Sequence, residues 1–219
     1  MTRTVLWDFN GTLYDDVETA RRCMNTLLER RGMPLLADTD AYRRIFGFPV
    51  RDYYVRAGFD FARESFETVG AEWFALYEDF SRGVGLREGV REAVRAFKAA
   101  GLAQAVLSAS HTDTLTRQLD ALGLRFGEVL ALEGIYAESK EALAVSWRQR
   151  HPGEPAVLIG DTEHDAEVAA SAGLGCILVE GGHQDAGTLA RCGVPVASDI
   201  PDAAARVLNG GRDVWKTGA

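Results

Sequence analysis

The chain has 219 residues, 47% of them apolar and 26% charged, with a net charge of −8; that length suits one large globular domain or a core carrying an insertion. The acidic balance argues against a nucleic acid or an anionic membrane as the main partner, because both call for a basic surface. No run of about 18 apolar residues predicts a membrane span, and Cys23, Cys176 and Cys192, without CxxC spacing, fit a reducing, cytoplasmic setting and give neither a disulfide framework nor a thiolate metal site.

A short apolar strand is predicted over residues 4–7, and it runs directly into Asp8-Phe9-Asn10-Gly11-Thr12-Leu13. A buried strand that ends in a carboxylate, an amide and a glycine delivers a reactive group to the sheet edge. Asp8 is therefore the candidate nucleophile, although Asp, Asn and Gly at a strand end are also ordinary turn residues. Val17, Ala20, Met24, Leu27 and Leu28 then recur at helical spacing, and Gly32 and Pro34 stop that helix. Further helical segments are predicted at 41–46, 50–57 and 66–80, with no strand-like alternation between them. Aromatic residues crowd the interval from Tyr42 to Phe80, which predicts a small helical subdomain with a core of its own.

From Gly83 onward the pattern changes to alternation. A helix at 90–97 ends at Gly101, a strand follows at 102–107, and a helix at 115–122 ends at Gly123. The series continues with a strand at 129–132, a helix at 140–149, a strand at 156–159, a helix at 163–172, a strand at 176–179, and a short strand near Val194 before a helix at 203–208. Strands separated by helix-length segments imply right-handed crossovers and a parallel sheet covered on both faces. The expected fold class is α/β, a Rossmann-like parallel sheet core with an inserted α-helical cap. The core is expected at 1–14 and 84–219 and the cap at 15–83, with Gly83-Val84-Gly85 as a hinge.

Three further polar stations fall at strand ends. Ser108 follows the second core strand and offers a hydroxyl to an anion; serine there also serves turns and helix caps. Lys140 opens a helix, where acidic residues are the electrostatic norm, so it either neutralises a neighbouring anion or is a solvated surface lysine. Asp161 follows Gly160 at the tip of a buried strand, and Asp165 lies one helical turn beyond it. Asp8, Asp161 and Asp165 would repel one another unless a hard divalent cation sat among them, and Mg²⁺ prefers such an oxygen set. Ser108, Lys140 and the N–H groups after Asp8, including that of Gly11, would hold a phosphate for attack by Asp8.

Taken together, these motifs resemble the haloacid dehalogenase-like superfamily over nearly the whole chain. Asp8 to Leu13 matches its DxDGT[LV] first motif, Ser108 its second, Lys140 its third and Gly160 to Asp165 its GDxxxD fourth. The sequence is most similar to the branch of phosphoglycolate phosphatases and β-phosphoglucomutases, whose helical cap is inserted after the first motif. The resemblance implies a Mg²⁺-dependent phosphatase acting on a small phosphorylated substrate through an aspartyl-phosphate on Asp8. It also implies a metal held by Asp8, the residue-10 carbonyl and Asp161, with Asp165 binding or orienting its waters. Asn10 departs from the family pattern: an amide keeps the main-chain carbonyl but cannot shuttle a proton. Replacement of Asn10 by Asp is expected on this reading to raise turnover, most of all for alkyl phosphates. Phosphotransfer, a mutase reaction or phosphate binding without turnover are the alternatives, and His111 or His164 is a candidate substitute acid/base. Arg21, Arg22, Arg43, Arg44 and Arg51 are candidates for gripping a second anionic group of the substrate.

Overall fold

The computed structural model describes residues 2–133, 139–210 and 214–218. Its strands are β1 (Thr4–Trp7), β2 (Ala103–His111), β3 (Glu128–Leu132), β4 (Ala156–Gly160), β5 (Gly175–Val179) and β6 (Val196–Ala197). All pair in parallel, in the order β3-β2-β1-β4-β5-β6. The chain therefore builds outward from β1 on one side and then crosses back to β4 on the other. The crevice at the carboxyl ends of β1 and β4 is the topological switch point at which open α/β sheets bind ligands.

Burial on both faces explains why these strands read as continuous apolar runs. Val5, Trp7, Val106, Val157, Ile159, Ile177 and Val179 point to one layer. There they meet α5 (Val90–Ala99), α6 (Thr112–Leu122) and α10 (Ile200–Asn209). Leu6, Ala105, Leu107, Leu158, Cys176 and Leu178 point to the other, against α7 (Lys140–Arg150), α8 (Glu163–Ser171) and α9 (Ala186–Ala190). The remaining helices, α1 (Val17–Arg30), α2 (Thr39–Ile45), α3 (Val50–Ala57) and α4 (Phe66–Phe80), share a separate cluster built on Met24, Leu27, Leu28, Tyr42, Tyr53, Tyr54, Phe59 and Val69. Two side-by-side segments join that cluster to the sheet. Tyr14 bridges Leu86 antiparallel, and Asp15 N donates to Gly85 O at 3.1 Å.

Several elements differ from the sequence reading. β2 runs on to His111 instead of ending at residue 107, because Ser108, Ser110 and His111 keep extended backbone while carrying no apolar signal. A register irregularity against β3 between Leu107 and His111 accommodates the extension. The last helix begins at Ile200, three residues early, where Asp199 caps it by accepting from Asp202 N at 2.7 Å and Pro201 occupies its first turn. The short strand near Val194 lies at Val196–Ala197, and the five-residue α9 was not foreseen. No helix among the described residues is long and apolar enough to cross a membrane.

Candidate active site

Asp8 leaves the end of β1 with its N–H still bonded to Ile159 O of β4 at 2.9 Å, so the sheet ladder itself aims the carboxylate into the crevice. Asp161 follows β4, and Asp165 follows in the first turn of α8. The three are buried, and one oxygen of each lies within 4.8 Å of the others. Lys140, 5% exposed at the start of α7, donates to both Asp8 Oδ1 and Asp165 Oδ1. Ser139 caps that helix by accepting from Ala142 N, which fixes the turn carrying Lys140.

The remaining oxygens are held by neighbours. Asp161 Oδ1 accepts from Thr12 Oγ1 at 2.8 Å and its Oδ2 from His183 N at 2.6 Å. Asp165 Oδ2 accepts from Thr162 Oγ1, Thr162 N and Asp161 N, at 2.7, 3.0 and 3.1 Å. Asp165 thus caps α8 and faces the crevice at once, one oxygen for each task. Close approach of backbone here excludes side chains: a Cβ on Gly11, whose φ is +73°, would lie 2.4 Å from Asp161 Oδ2, and one on Gly182 would lie 2.2 Å from it.

The electrostatics follow from burying three carboxylates beside one ammonium. Burial pushes the Asp8 carboxyl well above its ordinary value, against the pull of Lys140 and with help from Asp165 and Asp161. Asp161 is raised for the same first reason, opposed by His183. In Asp165 burial is outweighed by Lys140, so its carboxyl is lowered, and Lys140 is raised because Asp165 and Asp8 outweigh its own burial. Lys140 bonded to Asp8 and Asp165, with His183 divided between Asp161 and Asp16, leaves the cluster short of positive charge. The hard oxygen set fits a divalent ion such as Mg²⁺, and no hydrogen bond of the described residues ends on the Asn10 main-chain oxygen.

Ser108, expected beside this cluster, is buried in β2 one register step beyond the level of Asp8, and its Oγ accepts from Ser110 N at 3.1 Å. Gly11 departs from expectation: its N–H is already bonded, to Tyr14 O at 3.0 Å and Asp16 Oδ1 at 2.8 Å. Ser108 and Lys140 are then the expected members left to hold substrate oxygens. His111 caps α6, accepting from Asp113 N at 3.3 Å, and His164 packs its ring 4.5 Å from Phe48, so neither ring joins the carboxylates. Four of the five candidate arginines are engaged with other groups. Arg21 pairs with Glu18, Arg22 lies over Phe80, Arg51 lies over Phe61, and Arg44 is exposed. Arg43 donates to the carbonyls of Gly182 and Gly181, at 2.8 and 2.9 Å, and so straps α2 to the loop after β5.

Three residues at the site had not been singled out. His183 sits in that loop, with Nδ1 2.8 Å from Tyr42 Oη and Nε2 3.3 Å from Asp16 Oδ1. Burial would lower its imidazole, but Asp16, with Asp161 and Asp8 adding, pushes it up to about 9. Asp16 is lowered in turn, because His183, Tyr77 and Asn10 together outweigh its burial. Arg87 donates to Gly11 O at 2.7 Å and Glu180 O at 2.5 Å, tying the loop after β1 to the loop after β5. The Gly181-Gly182-His183 run at the carboxyl end of β5 was the available sequence signal, since that strand end borders the same crevice.

Comparison with known proteins agrees with this geometry. The model of the haloacid dehalogenase-like hydrolase family matches residues 5–179. The phosphoglycolate phosphatase of Rhodobacter capsulatus is 26% identical over 191 residues, which cover 84% of this chain and 87% of that protein. A predicted phosphatase from Clostridium acetobutylicum shares the fold at a TM-score of 0.76 and 18% identity, over 95% of this chain and 99% of its own. A predicted phosphoglycolate phosphatase from Haemophilus somnus does so at 0.71 and 20%, over 95% and 97%. With four-fifths of its length inside the family match and with the family's sheet, the chain belongs to the haloacid dehalogenase-like hydrolases.

Proposed function

We propose that the protein is a Mg²⁺-dependent phosphoric monoester hydrolase that acts on a small phosphorylated metabolite through an aspartyl-phosphate on Asp8. The observation that carries this reading is the meeting of Asp8, Asp161 and Asp165 from two strand tips and a helix start, with Lys140 bonded across them. The Rhodobacter relative, a phosphoglycolate phosphatase by name, supports a small phosphorylated substrate. Residues 1–14 and 84–219 act as the core and 15–83 as the cap, a division supported by the separate helical cluster and the paired connecting segments.

In this mechanism Asp8, Asp161, Asp165 and the Asn10 main-chain carbonyl would hold Mg²⁺, which would supply positive charge to the cluster and to the phosphoryl oxygens. Asp8 attacks phosphorus in line as the ester oxygen leaves, and water then displaces the carboxylate, releasing phosphate. Lys140 favours the ionised form of Asp8 and orients it and, with the Ser108 hydroxyl, balances charge on the phosphoryl oxygens. Tyr42 and Tyr77, both buried, bring the cap helices down on the crevice and limit the entry of bulk water. Asn10 supplies no proton to the leaving oxygen, so aryl and acyl phosphates, whose leaving groups need none, are the better substrates. Assays on p-nitrophenyl phosphate, acetyl phosphate, phosphoglycolate and sugar phosphates test this. Hydrolysis is expected to cease in EDTA and to return with excess Mg²⁺; turnover indifferent to EDTA would remove the metal from the scheme.

A further inference from the structure

Asp16 precedes α1, in the N-cap position where an aspartate ordinarily accepts from the second or third helical amide, yet its side chain makes no such bond. It turns back instead onto the loop after β1. Its Oδ1 accepts from Gly11 N at 2.8 Å and lies 3.3 Å from His183 Nε2. Its Oδ2 accepts from Tyr77 Oη at 2.5 Å and from Asn10 Nδ2 at 2.9 Å. The carboxylate is 1% exposed, and its partners come from the first-motif loop, α4 and the loop after β5.

The donor and acceptor pattern around Asn10 requires an amide. Nδ2 gives one hydrogen to Asp16 and the other to Tyr77 Oη at 2.7 Å, while Oδ1 accepts from Ser110 Oγ at 2.9 Å. A carboxylate at position 10 would set one of its oxygens where Nδ2 now stands, against Asp16 Oδ2 in a buried site. Two carboxylates at hydrogen-bond distance cannot both stay ionised there, nor can both accept from the single Tyr77 hydroxyl.

We propose that Asn10 and Asp16 are a complementary amide–carboxylate pair, in which Asp16 is a positioning residue that fixes the Asn10–Gly11 main chain against the cap. Asp16 holds Gly11 N–H directly and the Asn10 side chain through its amide, so the peptide between them, with the Asn10 carbonyl, is held in one orientation. Tyr77 brings the cap's α4 into the same set of bonds, and Tyr42 of α2 joins through His183. This inference rests on the phosphatase reading for its kinetic consequence, and it reverses the expectation drawn from sequence that Asn10→Asp would raise turnover.

The test compares wild type with Asn10→Asp, Asp16→Asn and the exchange Asn10→Asp/Asp16→Asn, by thermal midpoint and by kcat and KM on p-nitrophenyl phosphate with Mg²⁺. Each single variant is expected to lose about tenfold or more in kcat with KM changed less than about threefold, and to melt lower, because a misdirected loop harms the chemical step more than binding. In the exchange one carboxylate and one amide again face each other, so midpoint and kcat should both recover well above either single variant. An Asn10→Asp enzyme as active as wild type would overturn the proposal, as would an exchange no better than the worse single or one that does not fold. Single variants that fail to fold while the exchange folds would support it. Should wild type hydrolyse no phosphate ester at all, the phosphatase reading fails, and the midpoints still decide the pair: recovery in the exchange supports it and additive losses overturn it.

Discussion

Asp8→Asn should lower hydrolysis of p-nitrophenyl phosphate by about 10⁴-fold or more, the scale on which loss of a nucleophile is felt, while the protein remains folded. The fold is expected to survive because Asp8 contributes like-charge repulsion as well as a bond to Lys140. Burial together with Asp165 and Asp161 already disfavours its ionised form, and an amide at that position still accepts from Lys140. Wild-type circular dichroism and an unchanged or higher thermal midpoint should therefore accompany the loss of activity. Residual turnover within tenfold of wild type would show that another group attacks phosphorus.

Lys140→Met is expected to be costly in both stability and rate. Lys140 is buried and bonded to two carboxylates, and removing it leaves Asp8 and Asp165 without their bonded cation. Breaking a buried charge pair in this way typically costs about 3–5 kcal/mol of stability, to be read from urea unfolding without added metal. The phosphatase activity should fall by about 10²–10³-fold, as for loss of one preorganised charge at a developing oxyanion. Because Mg²⁺ would then supply the positive charge that Lys140 gave to Asp8 and Asp165, it should raise the midpoint of the variant more than that of wild type. A variant with wild-type stability in the absence of metal would mean that the carboxylates find their compensation elsewhere.

Much of this arrangement was legible in the sequence because parallel strands deliver their carboxyl ends to one edge. Asp8, Ser108 and Asp161 each stand at or just beyond an apolar run, and Lys140 and Asp165 stand in the first turns of the helices that follow. The same logic gave the sheet and the helical insertion, where period-3.6 patterns and the crowd of aromatics were strong. What escaped was carried by long-range hydrogen bonds. The partnership of Asp16 with Asn10, Gly11, Tyr77 and His183 joins residues up to 167 positions apart along the chain, as Asp16 and His183 are, and nothing in local periodicity reports it. Asp16 stands at the N-cap position of α1, and its carboxylate turns away from the helix. Of the candidate arginines, Arg21, Arg22 and Arg51 are engaged by groups of their own segment and Arg43 by carbonyls of the loop after β5. Ser108 lay within a strand longer than predicted because extended backbone persists through polar residues that carry no apolar signal.

The central claim is that Asp8 transiently carries the phosphoryl group. Its most direct test is peptide mass spectrometry of enzyme quenched during turnover of an aryl or acyl phosphate with Mg²⁺ and then reduced with borohydride, which converts a phosphorylated aspartate to homoserine. Homoserine at position 8, seen only when substrate was present, is the expected result. Homoserine at a different carboxylate, with residue 8 recovered as aspartate throughout, would contradict the account.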